Sequence, residues 1–115
     1  MKFLLYTREV SQQLISNRII PASFDSSLET KFIIHGFLQD GSREWILRMK
    51  NAFLRLSRFN VITVDYESSV SYQRAVANSQ VVGAEIARLI NKLNNKTGAD
   101  ISNFHLIGHS LGKLK

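Results

Sequence analysis

Near the end of the sequence a serine stands between two glycines, in Gly108-His109-Ser110-Leu111-Gly112. The spacing G-x-S-x-G suits a sharp strand-to-helix turn that throws a serine hydroxyl clear of the backbone. The glycines sit where a side chain would collide with the neighbouring strand and helix. The apolar run Phe104 to Ile107 comes directly before it, as a delivering strand should. The chemistry such a turn serves is nucleophilic attack on an acyl carbon by Ser110. A serine hydroxyl is a weak nucleophile at neutral pH and needs a general base beside it. Turns of this kind draw their acid and base from later in the chain, in the order Ser, then Asp or Glu, then His. Only Leu111-Gly112-Lys113-Leu114-Lys115 follow Ser110 here, so the sequence holds the nucleophile without its triad partners. The plain alternative is a structural turn that carries no chemistry.

An oxyanion formed at the acyl carbon needs preorganised donors. The turn supplies one from the residue after the nucleophile, the N–H of Leu111. A second comes from the loop after an early strand, and His35-Gly36-Phe37 occupies that place. Gly36 lets the backbone pass close to a substrate, Phe37 N–H is the natural second donor, and His35 braces the loop. Otherwise the three residues form an ordinary strand-ending turn. The histidines His35, His105 and His109 all precede Ser110, against the order expected of a triad base. His109 adjoins Ser110 and should point the other way; mid-strand His105 is expected to be buried and hydrogen-bonded. Asp65 ends a strand, where capping a backbone turn suits it better than triad duty. No grouping of Cys, His and carboxylates has metal-ligand spacing, so neither metal nor cofactor is expected.

The elements that must position these groups read as alternating strand and helix. Strands are expected over Phe3–Thr7, Thr30–Phe37, Asn60–Tyr66 and Ile101–His109, with Ser11–Thr30 irregular around Pro21 and a Ser/Asp cluster. Helical period runs from Arg43 to Ser57, with Ser42 as cap. Trp45, Met49, Phe53 and Leu56 form its stripe, widened by Ile46, Ala52 and Leu54. A second helix spans about Ser71 to Lys96, with Tyr72, Val76, Val82, Ile86, Leu89, Ile90 and Leu93 on its apolar side and Gly98 as C-terminal glycine. Nearly all-apolar strands separated by helices predict an α/β fold, a mostly parallel sheet with helices on both faces. Ligands of such sheets bind beyond the carboxyl ends of the strands. His35-Gly36-Phe37, Asp65-Tyr66 and Ser110 all fall at those ends.

With 115 residues, the chain makes at most one small domain. The net charge of +6 could suit nucleic acid or an anionic surface. The cations do not form a block, however. Arg43, Arg48, Lys50, Arg55 and Arg58 are spread along one helical stretch, and Lys92 and Lys96 close another, so nucleic acid is not expected. The chain lacks Cys, which removes disulfides and thiol chemistry. Met1 to Arg8 is too short and too soon polar for a signal segment. No run approaches the ~18 apolar residues of a membrane span. Asn95-Lys96-Thr97 is a glycosylation sequon, relevant only on the secretory route.

These residues together resemble the pancreatic-lipase family of secreted α/β hydrolases, almost end to end. Phe3-Leu4-Leu5-Tyr6-Thr7-Arg8 resembles the family's opening strand, and Lys31-Phe32-Ile33-Ile34-His35-Gly36-Phe37 its oxyanion-loop strand. Asn60-Val61-Ile62-Thr63-Val64-Asp65-Tyr66 is similar to the strand that usually ends Val-Asp-Trp. Tyr72-Gln73, Ala75-Val76-Ala77-Asn78 and Val81-Val82-Gly83-Ala84-Glu85-Ile86-Ala87 resemble its long helix. Asn103 to Gly112 resembles its nucleophile turn.

The resemblance implies that residues 1–115 are the N-terminal portion of a lipase α/β-hydrolase domain, ending just after that turn. It implies an esterase acting on triacylglycerols, phospholipids or galactolipids at a lipid–water interface, and an extracellular location. Ser110 is then the nucleophile, the N–H groups of Phe37 and Leu111 form the oxyanion hole, and His35, Gly36, Gly108, His109 and Gly112 support loop and turn. Lys113-Leu114-Lys115 departs from the family's usual Ala-His continuation. Without the triad Asp and His, this length of chain is expected to be inactive alone. The strand that delivers Ser110 is expected to have an unpaired edge, which invites association. A non-catalytic lipid- or protein-binding module on the same scaffold is the second reading.

Overall fold

The structure, a computed structural model, describes residues 2–10, 12–34, 42–65 and 72–108. Five strands form one sheet: β1 (Lys2–Tyr6), β2 (Gln13–Ile15), β3 (Thr30–Ile34), β4 (Asn60–Asp65) and β5 (Phe104–Gly108). Helix α1 (Ser42–Leu56) lies between β3 and β4 in sequence, and α2 (Tyr72–Thr97) between β4 and β5. Across the sheet the order is β2-β1-β4-β3-β5.

The expected α/β alternation is present, but the sheet is mixed rather than mostly parallel. β3 runs parallel to β4 and β5, whereas β1 runs antiparallel to both β2 and β4. Connection length explains the difference. Long connections holding α1 and α2 allow strands to return in the same direction, while the short link between β1 and β2 can only reverse the chain. Thr7 tightens that link, its N–H donating to Val10 O at 2.7 Å. β2 itself corrects the expectation that residues 11–30 are irregular. Three residues show no period of their own, and β2 exists because Phe3, Leu4 and Leu5 pair with Ile15, Leu14 and Gln13.

The two helical connections also explain why both faces are covered. From β3 the chain moves to β4 on one side; from β4 it crosses back over β3 to reach β5. Two right-handed crossovers in opposite directions place their helices on opposite faces. Side chains alternate accordingly. Phe3, Leu5, Phe32, Ile62 and Val64 pack with Ile86, Leu89 and Leu93 of α2. Tyr6, Ile33 and Val61 meet Trp45, Ile46, Met49, Phe53 and Leu54 of α1. Each fully buried Leu or Ile contributes roughly 1.5–3 kcal/mol.

On α1 the packed side centres on Ile46, Met49 and Phe53. Ala52 and Leu56, expected on the stripe, fall on its flank and are exposed, Leu56 by 76%. Arg8 holds the end of α1 instead, its Nε donating to Leu54 O at 2.7 Å and Nη2 to Arg55 O at 3.3 Å. Those carbonyls have no partner within the helix. On α2, Tyr72, Val76 and Val82 fall outside the described side chains, as does the expected Ser42 cap. Gly98 ends α2 as expected, at φ +79°, a backbone region that disfavours side chains, with its N–H donating to Asn94 O.

β5 starts at Phe104, with its apolar run, rather than at the expected Ile101. Ile101–Asn103 form a single 3-10 turn, capped by Asp100, whose Oδ1 accepts from Ser102 N–H at 3.0 Å and Ser102 Oγ at 2.9 Å. Those bonds, the backbone N–H first, hold the Asp100 carboxyl below its ordinary value of 3.8. A depressed folded value means the contribution is present above the unfolded value and is lost as pH falls through the folded one. Asp100→Asn keeps a capping oxygen but removes the titration. Its stability, followed by urea midpoint against pH, is expected to fall less than that of the parent below about pH 4.

The segment before β3 is tied down by Asn60. This fully buried side chain donates from Nδ2 to Asp25 O at 2.7 Å and to Thr30 Oγ1 at 3.2 Å, and its Oδ1 accepts from Asp25 N–H at 3.0 Å. Asn60→Ala is expected to cost about 2–3 kcal/mol, because buried partners lose their bonds. Urea denaturation should show this loss, while Asn51→Ala on exposed α1 should stay within about 0.5 kcal/mol of the parent.

Candidate active site

The parallel strands β4, β3 and β5 are in register at their carboxyl ends. Ile34 pairs with Val64 on one side and with Gly108 on the other. Adjacent strands lie about 4.8 Å apart. The chain segments that leave β3 after Ile34 and β5 after Gly108 therefore start side by side, from the same edge of the sheet. Asp65, the last residue of β4, leaves that edge one strand further on and pairs with Lys2 of β1. Gly108 is the last residue of β5; the expected strand end at His109 lies outside the described residues. His35, Gly36 and Phe37, Tyr66, and His109, Ser110, Leu111 and Gly112 lie outside the described residues.

What anchors these strand ends is well defined. Phe32, fully buried in the middle of β3, meets Phe3 edge-on with ring centroids 6.3 Å apart and Phe104 at the same separation, tilted by 45°. It therefore links three neighbours across the sheet: β1, β5 and the α2 face. Ile33, Val61, Ile62 and Val64 are all buried beside it. Strand ends held this way cannot slip without moving every side chain to the wrong face.

His105 stands at the other end of β5, three residues before Gly108 and therefore about 10 Å along the strand from that edge. It is hydrogen-bonded, as expected, but not buried: 45% of its side chain is exposed. Lys31 Nζ donates to His105 Nδ1 at 2.6 Å and lies 3.2 Å from Glu29 Oε1. The same ammonium sits 5.5 Å from the Phe53 ring centre and 5.0 Å from that of Phe59. A lysine inside an apolar strand run is thus a clamp between α1, β3 and β5, since its cation is attracted to ring faces and a carboxylate together. Nothing in the spacing of Lys31 announced this. The exposure of His105 has a simple cause. β5 pairs only with β3 among the described residues, so its outer side is uncovered, and Leu106 on the α2 face is 53% exposed.

Several other cations have local partners. Arg58 pairs with Glu9, Arg48 with Glu44 and Arg88 with Glu85, and Lys50 lies 4.7 Å from the Tyr6 ring centre. No described helix is long and apolar enough to cross a membrane.

The fold is of the α/β class, with neighbouring parallel strands ending at Ile34 and Gly108, directly before the His35-Gly36-Phe37 and His109 to Gly112 sequences. Comparison with known families makes the membership specific: residues 1–113 match the family described as Lipase. The chain belongs to that family. Mouse (Mus musculus) pancreatic triacylglycerol lipase is 41% identical over 118 aligned positions, covering 96% of this chain and 25% of that protein. Mouse pancreatic lipase-related protein 2 is also 41% identical, over 119 positions, with the same coverage. The guinea pig (Cavia porcellus) pancreatic triacylglycerol lipase is 40% identical, covering 97% of this chain and 26% of that protein. The chain thus spans about a quarter of the length of these relatives.

Proposed function

We propose that this chain is the N-terminal, nucleophile-bearing part of a secreted lipase that hydrolyses carboxylic esters of lipids, triacylglycerol first among them. In this reading residues 1–115 belong to a larger α/β-hydrolase domain. The observation that supports it is the pairing of Ile34 with Gly108, which puts the residues directly before the His35-Gly36-Phe37 and His109-Ser110 sequences on neighbouring strands. The names of the relatives supply the substrate class.

The chemistry follows from that edge. Ser110 Oγ attacks the ester carbonyl carbon while a base takes its proton. The carbonyl oxygen becomes an oxyanion, held by the N–H groups of Phe37 and Leu111, and each such donor contributes roughly 3 kcal/mol in the transition state. The alcohol leaves with a proton returned by the base, and an acyl group remains on Ser110. Water then repeats the sequence and frees the acid. The base and its carboxylate come from beyond Lys115, so residues 1–115 alone leave Ser110 without them.

The test compares the 115-residue chain with a form that continues through the acid and base. With a short-chain nitrophenyl ester and a triacylglycerol emulsion, the longer form should turn over both and the short chain neither to a useful degree. Binding of the longer form to lipid vesicles without any hydrolysis would instead favour a non-catalytic lipid-binding module.

A further inference from the structure

Asn95-Lys96-Thr97 is the only Asn-x-Ser/Thr triplet in the sequence, and its middle residue is not proline. It falls in the last turn of α2, two residues beyond the fully buried Leu93. That spacing turns Asn95 to the outside of the helix, where it is exposed. Its neighbour Asn94 is the inward one, donating from Nδ2 to Ala99 O at 2.9 Å. We propose that Asn95 is an N-glycosylation site, modified as the chain enters the secretory route and before the end of α2 closes. The proposal rests on the secreted reading given above.

Three features fit this assignment. First, the helix ends immediately after the triplet, at Gly98, so only its final turn need stay open for the triplet to be presented. Second, the requirement for Thr at the third position is a requirement for its hydroxyl. In the folded chain that hydroxyl donates to Leu93 O at 2.6 Å and accepts from Ala99 N–H at 3.2 Å. Folding thus withdraws the group, and modification must come first. Third, a glycan on Asn95 is remote from the candidate active site. α2 starts after the carboxyl end of β4 and returns to the start of β5, over about 39 Å of helix. Asn95 therefore stands at the edge of the sheet opposite Ile34 and Gly108, where a bulky, solvated group obstructs nothing proposed for catalysis.

The step balances with a lipid-pyrophosphate-linked oligosaccharide as donor. Asn95 Nδ2 forms a bond to the anomeric carbon of the first sugar. The bond from that carbon to the pyrophosphate oxygen breaks, the lipid pyrophosphate leaves with the electron pair, and Nδ2 loses one proton.

The full 115-residue chain, placed behind a cleavable leader, is translated with microsomes, and vesicle-enclosed protein is selected by resistance to added protease. The parent and Thr97→Ser should each show one step of reduced mobility that a peptide N-glycosidase removes. Asn95→Gln and Thr97→Ala should lose that step entirely. Asn95→Gln replaces an exposed helical residue, so its urea midpoint serves as a folding control and should match that of the unglycosylated parent. Enclosed parent protein with no glycosidase-sensitive step, or a step that persists in Asn95→Gln, would overturn the proposal. Modification of the leader-directed chain, alongside unmodified protein from its own source cells, would uphold Asn95 as acceptor and contradict the secreted reading instead.

Discussion

Ser110→Ala, made in a form of the protein that contains the triad acid and base, is expected to lower kcat for ester hydrolysis by about 10⁶-fold, the size of effect seen when a triad serine is removed. The size follows from the role proposed for Ser110. The acyl–oxygen bond to the enzyme forms on this atom, so no acyl-enzyme exists without it. KM should change far less, because the hydroxyl contributes little to holding a lipid chain. Some rate above that of water should persist, since the N–H groups of Phe37 and Leu111 would still face a carbonyl attacked by water. Initial rates on a nitrophenyl ester measure the change. A decrease of less than about tenfold would mean that another residue is the nucleophile.

Phe32→Ala is expected to destabilise the protein by about 3–5 kcal/mol. Phe32 is fully buried, and its ring touches those of Phe3 on β1 and Phe104 on β5. Truncation removes both ring contacts and leaves a cavity between three strands and α2. A small domain has only about 5–15 kcal/mol of stability, so this one change removes a large share of it. Urea denaturation should show the midpoint falling by more than about 1 M. Phe32→Leu, which keeps most of the volume, should cost less than half as much. A loss below about 1 kcal/mol for the alanine variant would show that the aromatic cluster does not carry the sheet. The consequence reaches the candidate site, because β3 fixes where the His35-Gly36-Phe37 loop starts.

The sequence made some of this legible and hid the rest, for reasons that differ by element. β3 and β4 are runs of branched and aromatic residues covered on both faces, so their composition alone marks them. α2 declares itself through Ile86, Leu89 and Leu93 and stops at Gly98 because a left-handed residue is needed there. β2 was invisible because three residues carry no period and its pairing with β1 is a tertiary fact. The exposure of Leu56 follows from where α1 lies on the sheet, which no helical stripe specifies. The same limit applies to His105. Its place on a strand was readable, though it stands near the start of β5 rather than mid-strand, and its exposure depends on β5 pairing on one side only among the described residues.

The candidate site divides in the same way. The residue types and the order of the His-Gly-Phe loop and the serine turn were readable from local spacing. That β5 returns next to β3 rather than next to β4 was not, because it depends on how α2 crosses the sheet. That crossing brings Gly108 beside Ile34, and so makes the two motifs parts of one site in the proposed reading.

Covalent trapping examines the proposal at its reactive atom. The protein, in a form containing its acid and base, is treated with a nitrophenyl phosphonate ester and digested, and the peptides are weighed. The account predicts one phosphonyl group per chain, on Ser110, accumulating in step with the loss of ester hydrolysis. Complete inactivation with the adduct on another residue, or with Ser110 unmodified, would contradict it.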